Sequence, residues 1–263
     1  MRKDRTERGD VSNFRRNEVQ LWRAALDVDP ETLDVLRSLL CADERESSRS
    51  FRFERDRVRF TAARGWLRQL LAAYLDADPA ELRFDKGVNG KPRLSAAGSA
   101  WLRFNVSHSE DVAVYAVSCG HEVGVDIERV RDDLPIESIA QRFFADRELD
   151  ALRGSPPRLR QRAFFEHWVR KEAYLKAVGL GLDTPLNSVE VLPAASGTVR
   201  VLESMPPASR RAWSVHTFDA GAEYAAAVAV EGFEARVPVT AIKAPAIISL
   251  WPLRLDRAIG WYV

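Results

Sequence analysis

The chain has 263 residues, of which 46% are hydrophobic and 29% are charged. This composition is typical of a soluble globular protein with one large domain or two modest ones. Lys and Arg number 39 against 38 Asp and Glu, and the formal net charge of +1 gives no whole-molecule field that would favour nucleic acid or an anionic membrane as a partner.

The cysteines and the apolar runs exclude further classes of protein. Cys41 and Cys119 form no CxxC pair and have no run of histidines nearby, so neither a disulfide framework nor a zinc site is expected. Both are interpreted as small buried hydrophobes in a reducing compartment. The polar N-terminus lacks the apolar stretch of a signal peptide, and runs such as 244–251 are too short to span a bilayer. We therefore expect a cytoplasmic protein.

Helices are predicted first along the chain, after a charged, non-periodic arm at residues 1–16 that we expect to be mobile. Residues 30–40 are predicted to form a short helix, with Asp29 as its cap before a proline at the first helical position. Residues 55–74 are predicted to form a longer helix because apolar side chains recur there at helical spacing.

From residue 82 the hydrophobic period changes to that of strands, which are predicted as far as residue 127. Short helices are then predicted at 138–144 and 146–152, followed by a break at 154–157 and a long helix at 161–178. Four more strands are predicted at 188–192, 198–203, 211–218 and 223–230.

The order of helices followed by strands occurs twice, so we predict an α+β fold built from two similar halves. The predicted organisation is an N-terminal arm (1–16), an N-terminal lobe (17–118), a C-terminal lobe (119–235) and a C-terminal tail (236–263). The tail contains three prolines, and no function is assigned to it.

A pair of carboxylates lies in the segment VGVDIE at 123–128. Because side chains alternate along a strand, Asp126 and Glu128 are expected to share one face. Two carboxylates at this spacing repel each other unless a cation lies between them, and oxygen ligands with open positions suit magnesium that also binds substrate phosphates. From the spacing alone, a solvated strand face with two acids is the more common arrangement.

The predicted helix at 161–178 carries Trp168, Glu172 and Lys176 on a single stripe. A Glu–Lys pair at this spacing is usually a surface stabiliser worth a few tenths of a kcal/mol. This helix is unusually rich in aromatic residues, however, and charges on a buried helix require partners. Binding a metal ion would give Glu172 such a partner.

Three further segments carry polar or charged side chains. The turn at 86–93 has three cations and two glycines and fits either a phosphate or adenosine site or an exposed basic hairpin. In the segment 104–109, Ser107 and His108 point to opposite faces of a strand, which makes them unsuitable as nucleophile and base. We interpret them as phosphate ligands, or as a strand cap and an ordinary histidine. Asp146 is predicted to cap a helix whose first turn contains Glu148.

Taken together, five ordered motifs resemble the 4′-phosphopantetheinyl transferase superfamily, in its long two-lobed type, which activates peptide and polyketide synthases or fatty-acid carriers. The motifs are GKP (90–92), NVSHS (105–109), VGVDIE (123–128), RFFADRE (142–148) and WVRKEAYLKAVGLGL (168–182). The match covers about residues 45–192. It implies a pseudo-dimeric α+β fold of two similar lobes, with coenzyme A held in the cleft between them.

The resemblance also implies roles for particular residues. Asp126 and Glu172 are similar to the metal carboxylates, with Glu128 as a third ligand, and Glu148 stands where a general base has been proposed. Lys176 resembles the cation beside the pyrophosphate. The groups that hold the adenosine 3′-phosphate and pyrophosphate would come from the two basic motifs, namely Lys86, Asn89, Gly90, Lys91, Pro92, Asn105, Ser107 and His108.

One segment departs from the family pattern. Basic residues often occur near 44–47 in this family, whereas this chain has Glu44 and Ser47 there, with Arg45 and Arg49 alongside. We expect Arg45 or Arg49 to supply the missing cation.

The resemblance implies an enzyme that transfers the phosphopantetheine arm of coenzyme A to a serine of an apo acyl or peptidyl carrier protein. Mg²⁺, or Mn²⁺ in its place, would assist, and 3′,5′-ADP would leave. A monomer with no nucleic-acid or membrane partner is expected. Two alternatives are a non-catalytic module that binds coenzyme A or a nucleotide, and a protein-interaction domain that uses the basic helix at 49–68.

Overall fold

The computed structural model describes residues 19–87, 90–95, 99–179, 185–191, 200–201, 213–232 and 246–247. The predicted N-terminal arm and nearly all of the predicted tail lie outside these residues. The N-terminal half of the fold contains β1 (Val19–Ala25), α1 (Pro30–Ser38), α2 (Ala42–Ser50), α3 (Glu54–Leu75), β2 (Phe84–Lys86), β3 (Pro92–Leu94), β4 (Leu102–Ser109) and β5 (Val112–Cys119).

The C-terminal half repeats the same order of elements, and a short strand follows it. This half contains β6 (Val123–Arg129), α4 (Ile136–Phe143), α5 (Asp146–Gly154), α6 (Pro157–Val178), β7 (Val189–Glu190), β8 (Arg200–Val201), β9 (Trp213–Thr217) and β10 (Tyr224–Glu231), with β11 (Ala246–Ile247) after it. Each half therefore reads as one strand, three helices, a two-stranded hairpin and two strands.

The sheets of the two halves have the same topology. In the N-terminal half β5 lies between β1 and β4, and in the C-terminal half β10 lies between β6 and β9, with antiparallel pairing throughout. The N-terminal sheet gains a fourth strand because β11 pairs in parallel with β1. A segment of the predicted tail thus belongs to the N-terminal sheet, although no pattern in the tail predicts a strand.

The core has three parts. The 22-residue helix α3 covers one face of its sheet, with Trp66, Leu67 and Leu70 buried. The 22-residue helix α6 covers the C-terminal sheet in the same way. The opposite faces of the two sheets meet in a third apolar cluster that includes Val114, from β5, and Val125, from β6. Burial of apolar surface in these layers is the main favourable term in folding.

The predicted α+β class is confirmed, and most predicted elements are present. Helix α1 begins at Pro30, and its cap Asp29 accepts from the Thr32 N–H at 2.8 Å, as predicted. Helix α6 begins earlier than predicted because Pro157 starts a helix well. The predicted cap Asp146 is wrong by one residue, since Ala145 holds the cap position.

Two elements and the cysteine environments differ from expectation. Strand β1 and helix α2 were not predicted, because β1 follows a charged arm and α2 is almost entirely polar. Cys41 and Cys119 are free thiols, but both are partly exposed and not buried. No helix within the described residues is long and apolar enough to cross a membrane.

Candidate active site

The candidate site lies at the seam between the two halves, where β4 and β6, the edge strands of separate sheets, run side by side. Side chains of β4 bond the free edge of β6 here. Asn105 Oδ1 accepts from the Val125 N–H at 2.8 Å, and Ser109 Oγ accepts from the Arg129 N–H at 3.0 Å. Asn105 and Ser109 of the segment NVSHS thus join β4 to β6.

Asp126 is the centre of the seam. The residue is 3% exposed, and its Oδ1 accepts from Ser107 Oγ at 2.8 Å and from Lys176 Nζ at 2.6 Å. Its other oxygen, Oδ2, is buried and has no hydrogen-bond partner. A buried carboxylate oxygen without a partner is costly, so this oxygen is available to a ligand.

Helix α6 approaches β6 closely enough to bring Glu172 beside Asp126. The approach depends on Gly124, where a Cβ would lie 2.1 Å from Ala173 O. Glu172 Oε1 is likewise buried without a partner. Burial, followed by repulsion from Asp126, raises the pKa of Glu172, and Lys176 opposes this shift only in part.

Glu128 lies at the outer end of the same strand face, as the alternation predicts. Its Oε2 accepts from Ser109 Oγ at 3.0 Å. Burial and then the charge of Asp126 raise the pKa of Glu128. Burial is thus the larger cause of the raised pKa at both Glu128 and Glu172, and the charge of Asp126 adds to it.

Two cations and a histidine lie around the carboxylates. Lys176 Nζ bridges Asp126 and Ser107, at 2.6 Å and 3.0 Å. Partial desolvation, followed by the positive charges of Lys176 and Arg59, lowers the pKa of His108. Arg59 was not selected from the sequence. It projects from α3 and is held by Glu110 and Asp111, both at 2.8 Å, in the turn after β4.

The seam offers two unpartnered carboxylate oxygens to an ion such as magnesium. Among the residues described, no group of three or more His, Cys, Asp or Glu side chains is arranged to hold a metal ion. The three carboxylates named from the sequence therefore do not form a closed metal site by themselves. Magnesium is usually held by one or two carboxylates, with waters and substrate phosphates completing its shell. Asp126 and Glu172, each with a free buried oxygen, fit that pattern.

The basic hairpin divides into exposed and buried parts. Lys86 is exposed on β2, and Gly90 has a φ of 80°, which favours glycine at this turn. Lys91 is different, because its Nζ donates to Glu122 Oε2 at 3.1 Å, Val123 O at 2.9 Å and Ala177 O at 3.3 Å. An ammonium has three donors, and Lys91 uses all three within the protein.

The remaining members of the basic motifs have less specific environments. Pro92 is partly buried at the start of β3, and Asn89 lies outside the described residues. Ser107, expected to contact phosphate, is buried and already bonded to Asp126 and Lys176.

The departure at residues 44–47 has a structural cause. Glu44 points inward, where its carboxylate accepts from Arg64 Nε at 2.5 Å and Arg68 Nε at 2.6 Å. Arg45 and Arg49 are exposed, and Arg45 donates to Leu40 O at 2.5 Å. The acid in this segment therefore belongs to the core, whereas Arg45 and Arg49 face solvent.

The expected position of Glu148 at the reacting groups does not agree with its environment. Glu148 is 0% exposed. It accepts from the Ala145 N–H at 2.8 Å, from the Val191 N–H at 2.8 Å and from Lys171 Nζ at 2.5 Å. The structure groups Asp126, Glu128, Glu172 and Lys176 at the seam and leaves Glu148 in the core of the C-terminal half.

Comparison with known protein families gives two matches that together cover most of the chain. Residues 26–120 match the model of the 4′-phosphopantetheinyl transferase N-terminal domain, and residues 122–229 match the model of the 4′-phosphopantetheinyl transferase superfamily.

Curated relatives agree with these matches. The 4′-phosphopantetheinyl transferase HetI of Nostoc is 38% identical over 218 residues, which is 82% of this chain and 89% of that protein. A 4′-phosphopantetheinyl transferase of Bacillus subtilis is 31% identical over 195 residues, 74% of this chain and 84% of that protein.

Solved structures match only part of the fold. A holo-(acyl-carrier-protein) synthase from Bacillus anthracis, in complex with CoA (3′,5′-ADP), is 21% identical. Its match has a TM-score of 0.35 and covers 42% of this chain and 94% of that one.

Proposed function

This chain belongs to the 4′-phosphopantetheinyl transferase superfamily, and from that premise we infer that it transfers the 4′-phosphopantetheine arm of coenzyme A to a carrier protein. Coenzyme A is the co-substrate. The acceptor is proposed to be a serine of an apo acyl or peptidyl carrier, and 3′,5′-ADP is the leaving group. Curated relatives that span most of this chain carry the name of this activity.

We propose that Asp126 and Glu172 hold Mg²⁺. The observation that carries this proposal is the pair of buried, unpartnered oxygens, Asp126 Oδ2 and Glu172 Oε1, at one seam. A bound Mg²⁺ would neutralise charge on the pyrophosphate while the phosphoryl group is transferred. Glu128, held by Ser109, is proposed as an auxiliary acid beside the ion.

The cations at the mouth of the seam are proposed to bind coenzyme A. Lys176 is fixed by Asp126 and Ser107, and in that position it would stabilise charge that develops on the leaving phosphate. His108, with its pKa lowered, would be a neutral donor at neutral pH. The nucleotide end of coenzyme A is proposed to bind the exposed Lys86, Arg45 and Arg49, together with Asn89 and Gly90.

The transfer step is a displacement at the β-phosphorus of coenzyme A. The serine oxygen forms a bond to phosphorus, the bond from phosphorus to the bridging oxygen of 3′,5′-ADP breaks, and the serine proton passes to a base at the seam. Positioning and charge neutralisation supply most of the catalysis in such reactions.

The proposed organisation is a monomer in the cytoplasm, with lobes at 17–118 and 119–235. One chain supplies both sides of the seam, since Ser107 comes from β4 and Asp126 from β6, so a second copy is not needed to complete it. A non-catalytic binding module is disfavoured, because such a module has no need for two unpartnered buried carboxylate oxygens.

The test is intact-mass analysis of several apo carrier proteins incubated with the protein, coenzyme A and Mg²⁺. The expected result is a gain of one phosphopantetheine arm on a carrier, abolished by a chelator and restored by Mg²⁺. Binding of coenzyme A with no mass gain on any carrier would support the binding module instead. A gain that persists with chelator present would overturn the metal proposal alone.

A further inference from the structure

We infer that Glu148 is a positioning residue that fixes Glu172 through Lys171, and that the N-terminal half contains the same device as Glu44 with Arg68. The inference about Glu172 rests on the role proposed for it above. It removes Glu148 from the base role that the sequence motif implied.

In the C-terminal half, Glu148 ties three elements together. It occupies the first turn of α5, where its carboxylate accepts from the Ala145 N–H at the helix cap. Lys171 Nζ, on α6, donates to the same oxygen at 2.5 Å and also to Val189 O. The other oxygen of Glu148 accepts from the Val191 N–H at 2.8 Å, next to β7. Helix α6 is thereby locked to α5 and to the segment that follows it.

In the N-terminal half, Glu44 has equivalent connections to its helix cap and to the long helix, and Arg64 Nε, at 2.5 Å, takes the place that the Val191 N–H has at Glu148. It occupies the first turn of α2 and accepts from the Cys41 N–H at 3.0 Å, at the helix cap. Arg68 Nε, on α3, donates to it at 2.6 Å, while Arg68 Nη1 donates to Pro79 O at 2.8 Å and Leu82 O at 3.1 Å. These carbonyls belong to the segment that follows α3, just as Val189 follows α6.

The two pairs occupy equivalent places in a duplicated topology. Helices α2 and α5 have nine residues each, and α3 and α6 have 22 each. Counted from the first residue of each long helix, Arg68 and Lys171 hold the same position. The next residues on these helices are Gln69 and Glu172.

The N-terminal half therefore has the ion pair without the carboxylates. The residue equivalent to Glu172 is Gln69. The residue equivalent to Asp126, which lies in β6, is Trp22, which lies in β1. The Glu44–Arg68 pair exists in a half that has no metal carboxylates. Its role is therefore to hold elements together and not to take part in the reaction. The same explanation then applies to its counterpart in the C-terminal half.

The position of Glu148 also excludes it from proton transfer. A general base must reach the proton that it removes, directly or through one water. Glu148 is 0% exposed, and Lys171, with 1% of its side chain exposed, covers it on the α6 side. Both of its oxygens already accept from fixed donors. Its influence on the reaction must pass through Lys171 to the neighbouring Glu172.

The experiment compares Glu148→Gln, Lys171→Met and the double variant, in the full chain, by melting temperature and by the pH dependence of kcat. Removing one partner of a buried pair leaves an uncompensated charge, whereas removing both is often nearly neutral. We expect each single variant to lower both the melting temperature and kcat, and the double variant to recover most of both. The acid limb of the pH profile should stay at its wild-type position in all variants.

A base role predicts the opposite pattern. Loss of a general base costs roughly 10²- to 10⁴-fold in kcat, removes the acid limb and is not repaired by changing a lysine. Glu148→Gln with an unchanged melting temperature and no acid limb would overturn the inference.

The matched control is the N-terminal pair, as Glu44→Gln and Glu44→Gln with Arg68→Met. Glu44→Gln should lower the melting temperature as Glu148→Gln does, and the double variant should recover only part of this loss, because Arg64 still lacks its partner. In both variants kcat and the Mg²⁺ concentration for half-maximal activity should stay within about twofold of wild type, because Gln69 is not a metal ligand. Glu148→Gln should raise that Mg²⁺ concentration. If it lowers stability only, like Glu44→Gln, the pair is structural and the positioning role is wrong.

A wild-type protein without transferase activity would instead overturn the proposed function, and the melting temperatures would still test the pairs.

Discussion

Lys176 Nζ lies 2.6 Å from Asp126 Oδ1, and this contact leaves the second oxygen of Asp126 buried without a partner. The lysine and the carboxylate come from α6 and β6, which meet at the seam between the two halves. One partly buried ion pair thus holds the helix against the strand while one carboxylate oxygen stays without a partner. Asp126 therefore joins α6 to β6, and it is also the proposed metal ligand.

The first prediction concerns the two carboxylates with free oxygens. Asp126→Asn and Glu172→Gln should each lower kcat/KM by about 100-fold or more, since several kcal/mol of transition-state stabilisation is lost with the metal site. The measurement is initial-rate kinetics with a carrier protein over a range of Mg²⁺ concentrations. The matched control is Glu190→Gln, a buried acid on β7 outside the seam, which should keep wild-type Mg²⁺ dependence. Near-wild-type rates for Asp126→Asn would contradict the assignment.

The second prediction separates Lys91 from the phosphate ligands. Lys91 bonds Glu122, Val123 and Ala177, so Lys91→Met should lower the free energy of unfolding by about 1–3 kcal/mol. Its effect on kcat/KM should be equal for coenzyme A and for 3′-dephospho-coenzyme A. Urea denaturation and paired kinetics measure the two effects.

Exposed Lys86 provides the contrast to Lys91. Lys86→Met should leave the free energy of unfolding unchanged within about 0.5 kcal/mol and should affect coenzyme A more than its dephospho form. If Lys91→Met lowers kcat/KM for coenzyme A but not for its dephospho form, Lys91 is a ligand of the 3′-phosphate.

Much of the fold was accessible from the sequence because the long helices and central strands have strong hydrophobic periods. Helix α6 ends at Val178 with Gly179 in the left-handed region, as its glycine indicated. Strand β1 and the polar helix α2 were missed because they owe their formation to tertiary contacts. For example, Glu44 and Arg68 fix α2 against α3, and no local pattern reveals a pair 24 residues apart.

The site was only partly predictable for a related reason. Alternation along β6 correctly predicts that Asp126 and Glu128 share one face of that strand. Helical spacing predicts that Glu172 and Lys176 share one face of α6. Spacing cannot show which charges already have partners within the protein, however. Lys91 donates to the Glu122 carboxylate and to two backbone carbonyls, and Glu148 accepts from the Ala145 N–H within the core.

The third prediction concerns acid stability. Burial would raise the pKa of Glu44, but Arg68, Arg64 and the Cys41 N–H outweigh burial and lower it from the ordinary value of 4.5. A carboxyl with a lowered pKa in the folded state stabilises above its unfolded pKa, and this stability is lost as pH falls through the folded pKa. The melting temperature of the wild type should therefore decline below about pH 4.5. Glu44→Gln should start lower and show a shallower decline, measured by calorimetry across pH 3–7. An equal decline in both proteins would assign acid sensitivity to other groups.

The fourth prediction tests the approach of α6 to β6. In Gly124→Ala the new Cβ would lie 2.1 Å from Ala173 O and 2.3 Å from Ala177 N, both backbone atoms that cannot move without shifting the helix. The strain should cost about 3 kcal/mol or more of unfolding free energy. The shift should also carry Glu172 and Lys176 away from Asp126, so that kcat/KM falls by at least about 10-fold at a temperature where the variant is still folded. Gly154→Ala is the matched control, because a Cβ there meets nothing within 4 Å and alanine is the better helix former. This control should keep both stability and activity, and a Gly124→Ala variant with the same behaviour would mean that the close packing of β6 on α6 does not set the geometry of the site.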